Sequence, residues 1–348
     1  MNIIIRADAS IDIGTGHIMR CLTLANFLKE KGAEVKFICT EVQGDLVNHI
    51  RHGGYEVYTF PECRDILSDA ENTINILQDL KVDLLIVDHY QIDSVWERIL
   101  KESFGHMKIM VIDDLANRQH HCDLLLDQNY FKDFENRYDH LVSKECTKLL
   151  GPRKILLRPE FYHVSKKEDN NHSIQDILVF YGGSDPTNET LKVLDALDAI
   201  DLSSITIHVV VGSSNSNKER IKNICADKNI NFYVQINYLA QLMAKADLSL
   251  GAGGVTMWER CFLGLPSIVT VVADNQKEST EAAADYGAVW NLGWHESVNV
   301  SDLVDIIERA IEHPEELKDM SIKAKQLMQS EFQNETHPVV DVILEVLS

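Results

Sequence analysis

The chain has 348 residues, of which 45% are hydrophobic and 25% charged, the balance of an ordinary globular protein, and this length favours two domains. Its 33 lysines and arginines against 54 aspartates and glutamates give a formal charge of −21, which repels phosphodiester backbones and disfavours nucleic-acid binding. Disorder, collagen-like repeats and coiled coil are excluded as the main organisation.

In the first half of the chain, short apolar runs alternate with helical patterns. The run 3–5 predicts a strand, a loop follows to Gly16, and apolar residues at helical spacing predict a helix from His17 that ends at Gly32. Further strands are predicted at 35–40, 56–60, 84–88, 109–113 and 124–126, and an apolar segment at 149–157 closes this half. This alternation is typical of a doubly wound parallel sheet.

The second half repeats this organisation after the most polar stretch of the chain, residues 164–175, which we interpret as an interdomain linker. The runs 177–181, 205–211, 248–250 and 268–272 predict strands, and helices are predicted from about Ser301 with a break near Pro314. We therefore predict an N-terminal domain at 1–163 and a C-terminal domain at 176–348. Whether the last helix packs back on the N-terminal domain stays open.

Cysteine usage and hydropathy bear on the cellular compartment. Seven cysteines are scattered without a C-x-x-C pair, which is typical of reduced thiols. The apolar run at the N-terminus is too short for a signal peptide, and no apolar stretch approaches the roughly 18 residues of a membrane-spanning helix. We expect a soluble, cytoplasmic protein with no membrane partner, present as a monomer or a weak homo-oligomer.

In open α/β sheets, ligands bind at the carboxyl ends of the strands. The loop after the first predicted strand contains Gly14 and Gly16 directly before His17, and glycines that open a helix let a phosphate approach backbone N–H groups. The loop matches neither the dinucleotide fingerprint nor the P-loop. A tight turn explains the glycines equally well, and a histidine at a helix start is more often a capping or surface residue.

Polar clusters follow two further predicted strands of this half. Asp88 and Tyr90 follow one strand, and the adjacent carboxylates Asp113 and Asp114 follow another. Each cluster alone is explained by a helix cap, which is the commoner role. Together with the loop before His17, they favour a shared site.

The second half contains two glycine turns after predicted strands. Six residues belong to these turns: Gly182, Gly183, Ser184, Gly253, Gly254 and Thr256. A diphosphate on the second turn would leave a ribose within reach of Glu259, and the amides of Asn275 and Gln276 suit sugar hydroxyls. A solvated helix face for Glu259 and a helix cap for Asn275 are the alternatives.

These motifs, in this order, resemble a known family. The run from Gly253 through Glu259 to Gln276 resembles the donor-binding half of GT-B proteins such as the peptidoglycan glycosyltransferase that forms lipid II. The remaining motifs resemble the UDP-sugar hydrolases of pseudaminic acid biosynthesis and related spore-coat polysaccharide proteins (the PseG/SpsG-like family). They are Arg6-Ala-Asp8, Gly16-His17-x-x-Arg20, Asp88-His-Tyr90, Asp113-Asp114, His121-Cys-Asp123 and Gly182-Gly-Ser-Asp185.

The resemblance implies an α/β GT-B fold, with two doubly wound Rossmann-like domains facing a central cleft, and hydrolysis of UDP-2,4-diacetamido-2,4,6-trideoxy-β-L-altropyranose without metal or cofactor. It implies that His17 is the base that activates water for attack at the anomeric carbon and that Asp88 and Tyr90 line the same wall. Asp8, Asp12 and Asp88 are all candidates to orient the imidazole. The implied substrate-binding residues are Gly14, Gly16, Arg20, Gly182, Gly183, Ser184, Gly253, Gly254, Thr256, Glu259, Asn275 and Gln276.

Residue chemistry leaves part of this mechanism open. A diphosphate beside His17 would favour the protonated imidazole, which would stabilise the leaving group instead of activating water. The chain has no Asp-x-Asp sequence to tie a divalent metal to a diphosphate, and the segment 120–123 is expected to lie on a strand, where neighbouring side chains diverge. Helix N-termini and Arg6 or Arg20 are then expected to neutralise the leaving diphosphate.

Three other functions fit the same pattern. A GT-B glycosyltransferase would pass the sugar to an acceptor, although the chain has no basic cluster beside a long apolar helix, as a lipid-linked acceptor usually requires. A hydrolysing UDP-sugar 2-epimerase would invert C2 of the product. A non-catalytic sugar-nucleotide sensor would keep its output when His17 is replaced.

Overall fold

The computed structural model describes residues 1–8, 16–42, 44–164, 173–328 and 337–348. The strands in these ranges are β1 (Asn2–Ala7), β2 (Glu34–Glu41), β3 (Glu56–Pro61), β4 (Leu84–Asp88), β5 (Lys108–Ile112), β6 (Leu124–Asp127), β7 (Thr147–Leu150), β8 (Asp176–Phe180), β9 (Thr206–Val211), β10 (Asn231–Val234), β11 (Leu248–Ala252), β12 (Ser267–Val271) and β13 (Trp290–Trp294). The α-helices are α1 (Gly16–Glu30), α2 (Val47–His52), α3 (Ile66–Leu77), α4 (Ser94–Ser103), α5 (Glu189–Asp198), α6 (Lys218–Asp227), α7 (Leu239–Lys245), α8 (Val255–Leu263), α9 (Lys277–Tyr286), α10 (Val300–Glu312), α11 (Pro314–Met328) and α12 (Pro338–Leu347).

Two compact units divide these elements. The first contains residues 1–129, 133–158 and the C-terminal segment from His337; the second contains Tyr130–Lys132 and the described residues from Pro159 to Met328. The predicted C-terminal domain included residues up to 348, whereas α12 groups with the first unit. The predicted linker, 164–175, lies largely outside the described residues.

The first unit is a seven-stranded parallel sheet in the order β3-β2-β1-β4-β5-β6-β7. Its central strands are apolar runs buried on both faces, as a parallel sheet covered by helices requires. The chain reverses its direction of travel across the sheet between β1 and β4, where Ala7 lies opposite Asp88. Such a switch point is where open α/β sheets bind ligands.

Helix α12 is part of the core of the first unit. Val339, Val340 and Ile343 are fully buried in the same apolar cluster as residues of α1. His337 caps the helix: its Nδ1 accepts from the Val339 N–H at 3.2 Å, and its Nε2 donates to the Ile155 carbonyl at 2.8 Å. The imidazole also stacks on Phe27 of α1, with ring centroids 5.2 Å apart.

The second unit is a six-stranded parallel sheet in the order β10-β9-β8-β11-β12-β13. Its switch point lies between β8 and β11, where Phe180 pairs with Gly251. The centre of this sheet contains the strands β11 and β12, in which every residue is buried. Across the described ranges, no helix is long and apolar enough to cross a membrane.

The sequence prediction missed two strands and misplaced one segment. β10 and β13 are edge strands with partly exposed residues, so they carry no continuous apolar run. The expected strand position of residues 120–123 is wrong, because these residues precede β6 in a loop. Within the described residues, no group of three or more His, Cys, Asp or Glu side chains is arranged to hold a metal ion.

Candidate functional site

The switch point of the first unit brings together four of the predicted site residues. β1 leads into Asp8, β4 ends at Asp88, and Tyr90 follows two residues later. His17 is the second residue of α1, and the side chains of Asp8, His17 and Asp88 are buried. Gly16 opens α1, and a side chain there would meet nothing within 4 Å. The predicted contribution of Gly14 lies outside the described residues.

His17 is oriented by Asp88. The imidazole Nδ1 contacts the Asp88 Oδ1, and the ring meets the Tyr90 ring edge-on, with centroids 4.4 Å apart and planes at 89°. Because a carboxylate can only accept, Nδ1 carries the proton that it donates to Asp88. In the neutral imidazole, the basic lone pair is therefore on Nε2. Of the three candidate orienting carboxylates, the structure selects Asp88 over Asp8; Asp12 lies outside the described residues.

Arg20 fixes Asp88 in turn. Its Nε donates to Asp88 Oδ2 at 2.6 Å and its Nη2 to Asp88 Oδ1 at 2.7 Å, while Nη1 donates to both oxygens of Asp114 at 2.8 and 2.9 Å. Burial raises the pKa of Asp88, but the charges of Arg20 and His17 outweigh burial and hold this pKa well below its ordinary value. Asp88 is therefore ionised throughout the physiological range.

Asp8 belongs to a separate ion pair. Arg6 donates to its two oxygens at 2.6 and 2.9 Å, the Thr40 N–H and hydroxyl donate at 2.7 and 3.0 Å, and His89 Nε2 lies 3.2 Å away. The Gln91 N–H donates to His89 Nδ1 at 3.1 Å, so the Nε2 of this histidine carries the proton. The predicted catalytic contact of Asp8 with His17 is absent among these bonds, and Asp8 serves to anchor the end of β1.

Both buried arginines of this unit are occupied by internal carboxylates. Arg6 binds Asp69 of α3 at 2.6 Å in addition to Asp8, and Trp96 of α4 donates to the same Asp69 at 2.9 Å. Arg20 binds Asp88 and Asp114. These internal partners leave Arg6 and Arg20 less free for a ligand, and neutralisation of a leaving diphosphate by either arginine stays a prediction. Asp69 and Trp96 were missed because nothing in their own segments marks them.

A further buried network lies beyond β5. His120 Nδ1 bonds Glu97 Oε1 at 2.7 Å, and Asp113 Oδ1 lies 2.8 Å from Arg118 Nη1. The Tyr138 hydroxyl donates to Asp113 Oδ2 at 3.0 Å. The predicted Asp113-Asp114 pair thus divides: Asp113 holds this network together, and only Asp114 is linked to the site through Arg20.

The first glycine turn of the second unit follows β8. Gly182 has φ +89°, and a Cβ there would meet nothing within 4 Å. Gly183 lies against the end of β9: a Cβ on Gly212 would come within 2.6 Å of the Gly183 Cα and 2.7 Å of its carbonyl carbon. Ser184 is the next residue, and Asp185 then caps α5 by accepting from the Glu189 N–H at 3.0 Å and the Thr190 N–H at 2.9 Å.

The second glycine turn follows β11 and leads into α8. A Cβ on Gly253 would lie 2.7 Å from the Thr280 hydroxyl and 3.1 Å from the Gln276 side chain, so only glycine fits. Gln276 Oε1 accepts from the Val272 N–H at 3.2 Å, and its Nε2 lies 3.6 Å from where a Gly254 Cβ would be. The structure therefore brings Gly253, Gly254 and Gln276 together, as the sequence pattern predicts.

The other predicted residues of this region lie around the second turn. Thr256 is in the first turn of α8 and is half-buried. Glu259 is 4% exposed, which is not the solvated face considered as its alternative. Asn275 is exposed in a short 3-10 helix, Asp274–Gln276. Sequence reasoning missed Arg260, which is fully buried one residue after Glu259.

Comparison with known proteins places the chain in a family. The Glycosyltransferase family 28 C-terminal domain matches residues 177–336. Over 248 residues, the chain is 30% identical to the UDP-2,4-diacetamido-2,4,6-trideoxy-beta-L-altropyranose hydrolase of Campylobacter jejuni, covering 71% of this chain and 83% of that protein. The chain belongs to the family of this hydrolase.

Two further matches are a sequence relative of unassigned activity and a solved structure that shows the fold. The uncharacterized protein MJ1062 of Methanocaldococcus jannaschii is 30% identical over 288 residues, 80% of this chain, and the chain spans 57% of that relative's length. The crystal structure of Acinetobacter baumannii MurG aligns over 99% of both chains with a TM-score of 0.69 and 16% identity. The predicted fold class, α/β with two Rossmann-like units of GT-B type, is confirmed.

Proposed function

We propose that this member of the hydrolase family is an enzyme that cleaves a UDP-sugar into UDP and the free sugar by attack of water at the anomeric carbon. The observation that carries the proposal is the buried pair formed by His17, in the first turn of α1, and Asp88, at the end of β4. A base with its Nδ1 fixed by a carboxylate is suited to accept a proton on Nε2. The family membership supplies the substrate class.

In the proposed step, one bond forms and one bond breaks at the anomeric carbon of the sugar. The water oxygen bonds to the anomeric carbon, and the bond from that carbon to the β-phosphate oxygen breaks, with its electron pair leaving on UDP. His17 Nε2 takes the water proton and releases it to solvent. Asp88 orients the imidazole, and the edge of Tyr90 limits the rotation of the ring.

Arg20 has a different role here from substrate binding. Its three nitrogens already donate to Asp88 and Asp114, so we assign it as the positioning residue for Asp88. The UDP moiety is assigned to the second unit, where Gly182 leaves open space and Gly253 and Gly254 open α8 towards a diphosphate. Thr256, Glu259, Asn275 and Gln276, with Gly16, Gly183 and Ser184, remain proposed binding residues.

The finer substrate assignment follows the named relative. We propose UDP-2,4-diacetamido-2,4,6-trideoxy-β-L-altropyranose, cleaved without a metal. The match to the Glycosyltransferase family 28 C-terminal domain favours one alternative, transfer of the sugar to an acceptor.

Hydrolysis in ¹⁸O-water with excess EDTA tests these assignments. The expected products are free sugar labelled at the anomeric oxygen and unlabelled UDP, analysed by NMR and mass spectrometry. His17→Asn should lower turnover by about 10²–10⁴-fold while UDP affinity stays within about twofold. His106→Asn, at an exposed histidine of the same unit, is the matched control.

Other products would indicate a different reaction. Label in UDP means cleavage at phosphorus and refutes attack at carbon. A C2-inverted sugar identifies a hydrolysing epimerase, and turnover only with an added acceptor identifies a transferase. Full turnover in His17→Asn removes the proposed base.

A further inference from the structure

A fully buried guanidinium lies beneath the second glycine turn. Arg260 of α8 is 0% exposed, and its Nη2 donates to the Ala252 carbonyl at 2.6 Å. In the described part of the chain, its Nε and Nη1 have no hydrogen-bond partner. Burial lowers the pKa of Arg260 to about 10, so the group is still a cation at neutral pH. A buried cation without a hydrogen-bonded anion is unfavourable and calls for a compensating charge.

The cation lies at the switch point of the second sheet. A Cβ on Gly251 would be 2.5 Å from Arg260 Nη1 and 2.5 Å from the Phe180 carbonyl oxygen. Gly251 and Phe180 are paired in register, so the guanidinium packs where β8 and β11 end. Both strands continue into the glycine turns described above. The charge of Glu259 raises the pKa of Arg260, but its effect is smaller than that of burial.

The hydrogen bond to Ala252 connects this charge to the turn. The Ala252 carbonyl and the Gly253 N–H belong to one peptide group, which is trans. In a planar trans peptide the two point in opposite directions, so the Gly253 N–H is directed away from the guanidinium. A cation bonded to the carbonyl polarises the peptide and makes its N–H a stronger donor. The N-terminus of α8, two residues later, adds positive potential of the same sign.

We infer that Arg260 is a positioning residue for the diphosphate of a nucleoside diphosphate, acting from inside the fold through the Ala252–Gly253 peptide and through its fixed charge. This inference rests on the proposed function, since UDP is the anion that the turn would receive. Arg260 does not touch the ligand. Its effect is therefore confined to the phosphate end of the ligand and leaves recognition of the nucleoside unchanged.

Calorimetric titration with UDP and with uridine tests the inference. Arg260→Met should raise the Kd of UDP about tenfold or more, because a fixed positive charge near the diphosphate is lost. The Kd of uridine should change less than about twofold. Arg260→Lys should recover part of the UDP affinity, and Arg220→Met, at an exposed arginine of α6, is the matched control. If Arg260 had only a structural role, its replacement would weaken the binding of UDP and of uridine to the same extent.

The outcomes separate this inference from the proposed function. Normal UDP affinity in Arg260→Met, or equal loss for UDP and uridine, overturns the role of Arg260 even if the wild type hydrolyses its substrate. Failure of the wild type to bind UDP overturns both. Selective loss of UDP affinity in a protein that hydrolyses no UDP-sugar supports Arg260 and refutes the hydrolase.

A wild-type measurement covers the case in which Arg260→Met does not fold. The Gly253 amide should show a large chemical-shift change on addition of UDP and a small one on addition of uridine. Equal changes, or none with UDP, would contradict a polarised peptide facing the diphosphate.

Discussion

The cap of α12 predicts a specific loss of stability in acid. Burial lowers the pKa of His337 from 6.5 to about 4, and this effect outweighs the hydrogen bond to the Ile155 carbonyl, which raises the pKa. The unfolded chain binds a proton at a higher pH than the folded one. The stabilisation is therefore fully present above pH 6.5 and is lost as the pH falls towards 4.

The size of the loss follows from this pKa difference. Each pH unit between the two values is worth about 1.4 kcal/mol, so roughly 2 kcal/mol disappears between pH 7 and pH 5. His337→Asn keeps an N-cap acceptor and has no ionisable group, so it should lack this pH dependence. Any other group that titrates in the same range affects both proteins alike and cancels in the comparison.

Hydrogen exchange of the α12 amides measures the effect, under conditions where exchange reports the opening equilibrium. After correction for intrinsic rates, wild-type protection should fall about 20-fold more than that of His337→Asn between pH 7 and pH 5. The same pH dependence in both proteins would refute a neutral, buried His337.

Two further predictions concern the site. Asp88→Asn should lower kcat about 10³-fold with unchanged UDP affinity. Arg20 donates to both carboxylate oxygens of Asp88, whereas an amide has only one oxygen, so the NH₂ group of the asparagine would face another donor, either Arg20 or His17 Nδ1. A kcat within tenfold of wild type would contradict this reasoning. Gly212→Ala should destabilise the second unit by about 2 kcal/mol, because its Cβ would overlap the Gly183 backbone. Gly183→Ala, whose Cβ would have only the Ser214 hydroxyl at 3.9 Å, is the stability control, and equal melting temperatures for the two variants would count against the overlap.

The sequence predicted the positions of the candidate site residues at the strand ends, but it did not predict which of their side chains would be in contact. Strand ends can be located from short apolar runs, so Asp88, Tyr90 and the glycines around 253 were found where the sheets place them. The pairing of carboxylates with cations depends on tertiary packing. Asp8 and Asp88 look alike in sequence, yet one binds Arg6 and the other binds His17.

Residues that act from outside the motifs left no sequence signal. Asp69 reaches Arg6 from α3, 63 residues away, and an aspartate near a helix start reads as an ordinary surface residue. Arg260 follows Glu259 on a helix, where a charged pair suggests solvent exposure. Only its complete burial reveals that it lies beneath the turn.

The two arginine clusters of the first unit carry more carboxylates than guanidinium groups, and this excess affects which end of a substrate can approach the switch point. Arg6 is matched by Asp8 and Asp69, and Arg20 by Asp88 and Asp114, so each cluster holds two carboxylates for one guanidinium. The wall behind His17 therefore favours an uncharged group over a phosphate. A molecule with one neutral and one anionic end would present its neutral end to this wall, and an anion released by cleavage would be repelled from it. For the proposed UDP-sugar, this surplus of carboxylates would turn the sugar towards His17 and would hinder rebinding of UDP at the same place.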